Sequence, residues 1–68
     1  MMIGKIARLE HTKKYGFINP GDEERDHFFF AGALVDLQFA DLHLHQVVEF
    51  DPVANPTGPR AANVRPCK

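Results

Sequence analysis

Tyr15-Gly16-Phe17-Ile18-Asn19 and, across the turn Asn19-Pro20-Gly21-Asp22, Asp26-His27-Phe28-Phe29-Phe30 decide the fold of this chain. The first segment alternates with the period of two that defines a strand. Tyr15 and Phe17 fall on one face, Gly16 and Ile18 on the other. The second segment is aromatic on both faces. Asn-Pro-Gly-Asp is strong turn chemistry, so the two segments read as neighbouring strands, with the acidic Asp22-Glu23-Glu24 at an exposed hairpin tip.

Working outward, residues 3–9 form a further strand in which Ile6 and Leu9 stand three apart. A flat strand would put them on opposite faces, so a bulge near Ala7-Arg8 is expected if both are core. His11 to Lys14 is a loop. Residues 46–53 set Val48 and Phe50 against Val47, Glu49 and Asp51, a half-buried strand. Asn55-Pro56-Thr57-Gly58-Pro59 is a second turn, and Arg60 to Arg65 a short closing strand that Pro66 ends. Between Ala31 and His45 there is apolar content for one short helical turn near Ala33 to Val35, but no sustained helical period. Five short strands in 68 residues predict a small closed or nearly closed all-β barrel, which removes unpaired edges. The expected core is Ile6, Leu9, Ile18, Phe29, Val48, Phe50, Ala62 and Val64, with Leu42 closing an end.

Composition narrows the function. A 68-residue chain has room for one domain. It has no apolar run long enough to span a membrane and no apolar N-terminal leader. Its single cysteine, Cys67, allows no internal disulfide, and a reducing, cytoplasmic location is the default expectation. Serine is absent, which removes serine nucleophiles, and no acid–base pair is placed for catalysis. His43-Leu44-His45 offers two imidazoles without a third ligand, too little for a metal site. No enzyme activity, metal or cofactor is expected. The net charge of −1 hides a segregation: residues 1–20 carry +3, residues 21–51 carry −7, and residues 52–68 carry +3. If the two ends of the chain lie side by side, one face is basic.

With the core set inward, Tyr15, Phe17, Phe28 and Phe30 must point outward. The chain is too short to supply a second layer over them. An exposed aromatic patch marks a binding surface, and Arg8, Lys13 and Lys14 lie beside it. Flat rings bordered by cations suit single-stranded nucleic acid, whose bases stack while its phosphates meet Lys and Arg. Duplex DNA hides its base faces. The alternative is that the same rings serve a protein-interaction or dimerisation surface.

Several motifs resemble the bacterial cold-shock proteins. Lys13-Lys14-Tyr15-Gly16-Phe17-Ile18 is similar to their first ribonucleoprotein motif, usually Lys-Gly-Phe-Gly-Phe-Ile. Asp26-His27-Phe28-Phe29-Phe30 is similar to the second, usually close to Asp-Val-Phe-Val-His. Gln46 to Phe50 resembles the family's fourth strand, and Gly58-Pro59-Arg60-Ala61-Ala62-Asn63-Val64 its closing Gly-Pro-Gln-Ala-Ala-Asn-Val. The resemblance runs from Gly4 to Val64 in order and spacing. It implies an OB-fold barrel of five antiparallel strands, a monomer or weak dimer, that binds single-stranded RNA or DNA and melts RNA structure without ATP. RNA chaperoning or modulation of transcription or translation would follow. By position, it implies contacts through Lys13, Tyr15, Phe17, Asp26 and Phe28. Phe39 is similar to a loop aromatic that stacks a further base, and Arg60 stands where the family often has glutamine. Two departures alter the face itself: Arg8 replaces a tryptophan and Phe30 a histidine. Arg8 can still stack its guanidinium on a base, and Phe30 keeps a ring but loses a polar tip. His45 stands where a glycine precedes the fourth strand, so the turn geometry there is a point for the structure to decide.

Overall fold

The computed structural model describes residues 1–21 and 25–67. The acidic tip expected at Asp22-Glu23-Glu24 lies outside the described residues. Five strands carry the fold: β1 (Met2–Glu10), β2 (Tyr15–Asn19), β3 (His27–Phe30), β4 (Val47–Val53) and β5 (Arg60–Pro66). They close into a barrel in the order β1-β2-β3-β5-β4. Four of its five neighbour pairs are antiparallel, and β3 runs parallel to β5. The expectation of a wholly antiparallel barrel is corrected on this point, and parity is the reason. Directions cannot alternate all the way round a ring with an odd number of strands, so one pair must be parallel. It falls where pairing is thinnest, with Phe28 opposite Arg60 and a further bridge between Leu34 and Val64.

The bulge expected in β1 is present. Ile6 pairs with Ile18 and Arg8 with Phe17, which leaves Ala7 as the extra residue. It returns Leu9 to the inner side, where it packs partly buried against the core. Gly16 lies opposite Leu9, and a Cβ there would come within 2.5 Å of the Arg8 carbonyl oxygen and 3.0 Å of the Phe29 ring. Only a glycine lets β1 and β2 approach this closely at the bulge.

The buried core is Ile6, Ile18, Phe29, Phe39, Leu42, Val48, Phe50, Ala61 and Val64. Against the expected set Leu9 is only partly buried, Phe39 joins the core, and one alanine is exchanged for its neighbour. Ala61, not Ala62, faces inward, because β5 has its own irregularity. Asn63 adopts a left-handed backbone (φ 51°), and the β4–β5 register slips between Glu49 and Asp51. Ala61 and Val64 therefore share the interior at a spacing of three, as Ile6 and Leu9 do. His27, opposite Ile18 on β3, is also inside at 8% exposure, its ring 5.1 Å from that of Phe50 and its Nδ1 3.4 Å from the Arg60 carbonyl oxygen.

The connection between β3 and β4 holds two short 3-10 turns, Ala31–Ala33 and Phe39–Asp41, where one near Ala33 to Val35 is expected. The first ends on the bridge to β5, with the Val35 amide donating to the Val64 carbonyl at 2.7 Å. His45 takes the left-handed conformation (φ 70°), and its amide donates to the Ile6 carbonyl at 2.8 Å. The turn keeps the geometry a glycine would give it and accepts the strain of a side chain. Among the described residues no helix is long and apolar enough to cross a membrane.

Candidate nucleic-acid interface

Register on the outer face places the aromatic side chains. Along β2 and β3, Tyr15 pairs with Phe30 and Phe17 with Phe28. Because the β1 bulge shifts Arg8 opposite Phe17, and β5 enters the barrel with Arg60 opposite Phe28, one row crosses four strands: Arg8, Phe17, Phe28, Arg60. The row above it is Glu10, Tyr15, Phe30. A cation thus stands at each end of the ring row. The two basic ends of the chain do not lie side by side, since β4 separates β1 from β5 on one side and β2 and β3 do so on the other. Instead they bracket the aromatics.

The four rings form one continuous cluster. Phe28 is its centre, with centroids 5.5 Å from Tyr15, 5.7 Å from Phe17 and 6.5 Å from Phe30. Tyr15 and Phe17 meet edge to face at 6.1 Å. These are the favourable aromatic geometries, so the rings hold one another in place, with Tyr15, Phe17 and Phe28 half-buried. Phe30 is the most exposed, at 50%. The Arg60 guanidinium lies 5.1 Å from the Phe28 centroid and 5.8 Å from that of Phe30, a cation–π contact with both. Lys13 and Lys14 are exposed in the turn that leads into Tyr15. Lys14 itself is left-handed (φ 59°), and its carbonyl accepts from the Ala31 amide at 2.9 Å, tying this turn to the end of β3.

Two expected residues need comment. Phe39 is not on the face. At 7% exposure its ring plugs the barrel end, 6.4 Å from Phe29 and edge-on to His11 at 5.5 Å. A ring at the mouth of so small a barrel gains more by covering Phe29 than by standing in water. Asp26 is exposed beside the cluster, and its Oδ1 accepts from the Asn19 side-chain Nδ2 at 2.7 Å. Asn19 in turn accepts from the Gly21 amide at 3.0 Å, so the carboxylate is held by the turn that precedes it.

An open cleft of about 490 Å³ adjoins the rings, walled by Phe17, Phe28, Asp26, Arg25 and Arg60 and by the turn Asn55 to Pro59. Arg25 and this turn are absent from the sequence-based site. The one signal for the turn was its own chemistry. Asn55 Oδ1 accepts from both the amide and the hydroxyl of Thr57, at 3.0 and 2.7 Å, and Gly58 takes φ 136°. The Phe28 amide then donates to the Pro59 carbonyl at 3.1 Å. The cleft wall is thus hydrogen-bonded within itself and joined to β3.

Ion pairing among the described residues is confined to the β4–β5 side of the barrel. Among the described residues the ion pairs all involve Arg65, which reaches Glu49 and Asp51 at 3.4 Å each on the β4–β5 side. The Asn63 side-chain Nδ2, donating to Asp51 Oδ2 at 2.9 Å, holds that carboxyl below the ordinary aspartate range, and Arg65 adds to the effect. Among the described residues Arg8, Lys13 and Arg60 on the aromatic side make no ion pair.

Comparison with known proteins agrees with this geometry. The family model of the 'cold-shock' DNA-binding domain matches residues 2–67. The chain is 40% identical over 61 residues to the cold shock-like protein CspJ of Salmonella typhi, covering 90% of this chain and 87% of that one. It is 36% identical over 64 residues to the major cold shock protein of Micrococcus luteus (94% and 96% covered), and 36% identical over 63 residues to the cold shock-like protein CspG of Escherichia coli K12 (93% and 90%).

Proposed function

The chain belongs to the cold-shock domain family, and from that premise we propose that its aromatic face binds unpaired RNA or DNA. The observation that carries the reading is the row Arg8–Phe17–Phe28–Arg60, flanked by Tyr15 and Phe30. Stacking supplies affinity, at about 1–3 kcal/mol per base, and is indifferent to sequence because every base has a π-face. Arg8, Lys13 and Arg60 meet phosphates, and Asp26 accepts from a base edge. Phe39 stays in the barrel end and takes no part.

The module has no chemistry to perform. It acts by mass action: a ligand that binds only the unpaired form of an RNA shifts its population toward that form. Chaperoning of RNA, and modulation of transcription or translation in the cytoplasm by a monomer or weak dimer, are the roles this supports.

Titration of an unstructured heptanucleotide at 50 and 200 mM salt tests the reading. With three phosphates neutralised on a single strand, the slope of log K on log salt is about −2, so affinity falls roughly 20-fold over that range. A salt-insensitive interaction, together with a dimer in sedimentation that protects Tyr15, would establish the protein-interaction reading instead.

A further inference from the structure

Arg60 occupies the layer where bases are to lie. Its guanidinium stands over Phe28 and Phe30, not out in solvent beyond them. Its backbone is fixed on three sides: by the Pro59 carbonyl bonded to the Phe28 amide, by its own carbonyl against His27 Nδ1, and by the Asn55–Thr57 turn that delivers it. Arg25 and Asp26 line the same cleft and offset each other, so Arg60 can meet a phosphate and a base edge together. A base that takes the Phe28 face moves the guanidinium to its rim and turns one edge toward the fork of N–H donors.

Base edges differ in what they offer a guanidinium. Guanine presents O6 and N7 as adjacent acceptors, which match the fork in bidentate fashion. Adenine places an amino donor beside N7 and meets the fork with a clash of donors. Thymine and uracil separate their two carbonyl acceptors by an N–H. From this, and resting on the single-strand reading above, we propose that Arg60 reads the O6/N7 edge of a guanine stacked on Phe28, so that this chain selects guanine-bearing single strands.

The test uses the whole chain and heptanucleotides of thymine in which one position at a time carries guanine, adenine or cytosine, measured by fluorescence anisotropy. One guanine register is expected to bind roughly tenfold more tightly than the all-thymine strand, as a bidentate contact implies. Adenine in that register gains much less; cytosine offers N3 and O2 as adjacent acceptors but stacks only one ring on Phe28, so its gain is smaller than that of guanine. Arg60→Lys keeps the charge and loses the planar fork; it should lower the guanine-to-thymine ratio while leaving the salt slope near its original value. Thermal melts of the variant establish that it folds, and Arg60→Gln, the glutamine frequent in the family, removes the cation as well and should bring the ratio close to one. Equal affinity for all bases, an equal gain with adenine or cytosine, or a guanine preference that survives Arg60→Gln undiminished would overturn the proposal and leave the single-strand reading standing. Failure of every strand to bind would remove both.

Discussion

Replacing Phe28 with alanine separates binding from folding at one residue. Its ring contacts three others and the Arg60 guanidinium, and it faces the cleft. Removing it deletes one base platform, which costs about 1–3 kcal/mol of binding, or roughly 5- to 150-fold in Kd. The folded state also loses aromatic pairs, each worth about 0.5–1.5 kcal/mol beyond burial, though in a shared cluster they do not add. Because Phe28 is only half-buried and lies on the outer face, its loss opens no closed cavity. A destabilisation of about 1–2 kcal/mol is expected, which lowers Tm by about 4–8 °C per kcal/mol in a domain of this size. Anisotropy titrations with a labelled heptanucleotide below the variant's melting transition measure the first effect, and thermal melts followed by circular dichroism the second. Phe28→Leu keeps apolar area without a flat ring, so it should recover much of the stability and little of the affinity. The stacking argument is refuted if Phe28→Ala binds as the parent does, or if Phe28→Leu restores affinity in step with Tm.

Three further outcomes concern the scaffold. Gly16→Ala drives a methyl group into the Arg8 carbonyl oxygen, 2.5 Å away, and should cost about 1–3 kcal/mol by thermal or urea denaturation, as overpacking does. His45→Gly relieves a left-handed residue of a penalty of about 1–2 kcal/mol and returns about 0.4–1 kcal/mol through a freer unfolded chain. Its Tm should therefore rise by a few degrees, and a fall would mean that the His45 side chain makes a contact of its own. Asp51 titrates below the ordinary aspartate range, chiefly because Asn63 donates to it. A depressed carboxyl contributes stability that is present above that range and lost as pH falls through the lowered value. Melts of the parent from pH 6 down to pH 2 should accordingly decline more steeply than those of Asp51→Asn, by a small margin since the group is exposed. Parallel curves would show that the Asn63 contact is not maintained in solution.

Much of this architecture is legible in the residue pattern. The alternation of Tyr15 to Asn19 and the doubly aromatic Phe28-Phe29-Phe30 suffice to set the rings outward and Ile18 and Phe29 inward, because one face of a small barrel must fill its interior. The three-residue spacing of Ile6 and Leu9 betrays the bulge at Ala7. The same spacing in Ala61 and Val64 is harder to see, since Ala62 is an equally good inward residue and only the left-handed Asn63 decides between them. Phe39 reads as an exposed loop ring until the barrel end it fills is known. His27 conveys nothing of its burial against Phe50, because that depends on which strand closes behind β3. Arg25 and the Asn55–Pro59 wall join the site through the β3–β5 pairing, a contact between segments some thirty residues apart that no local pattern encodes.

That parallel pairing has a mechanical meaning. The barrel's seam, where two strands touch through the fewest backbone partners, runs directly beneath the ring cluster, and Phe28 and Arg60 stand on its opposite lips. A strand of nucleic acid gripped by both is a stitch across it. Occupancy would brace the molecule where its backbone ladder is sparsest, and any breathing of that line would pull the stacking platform and its guanidinium apart in a single movement.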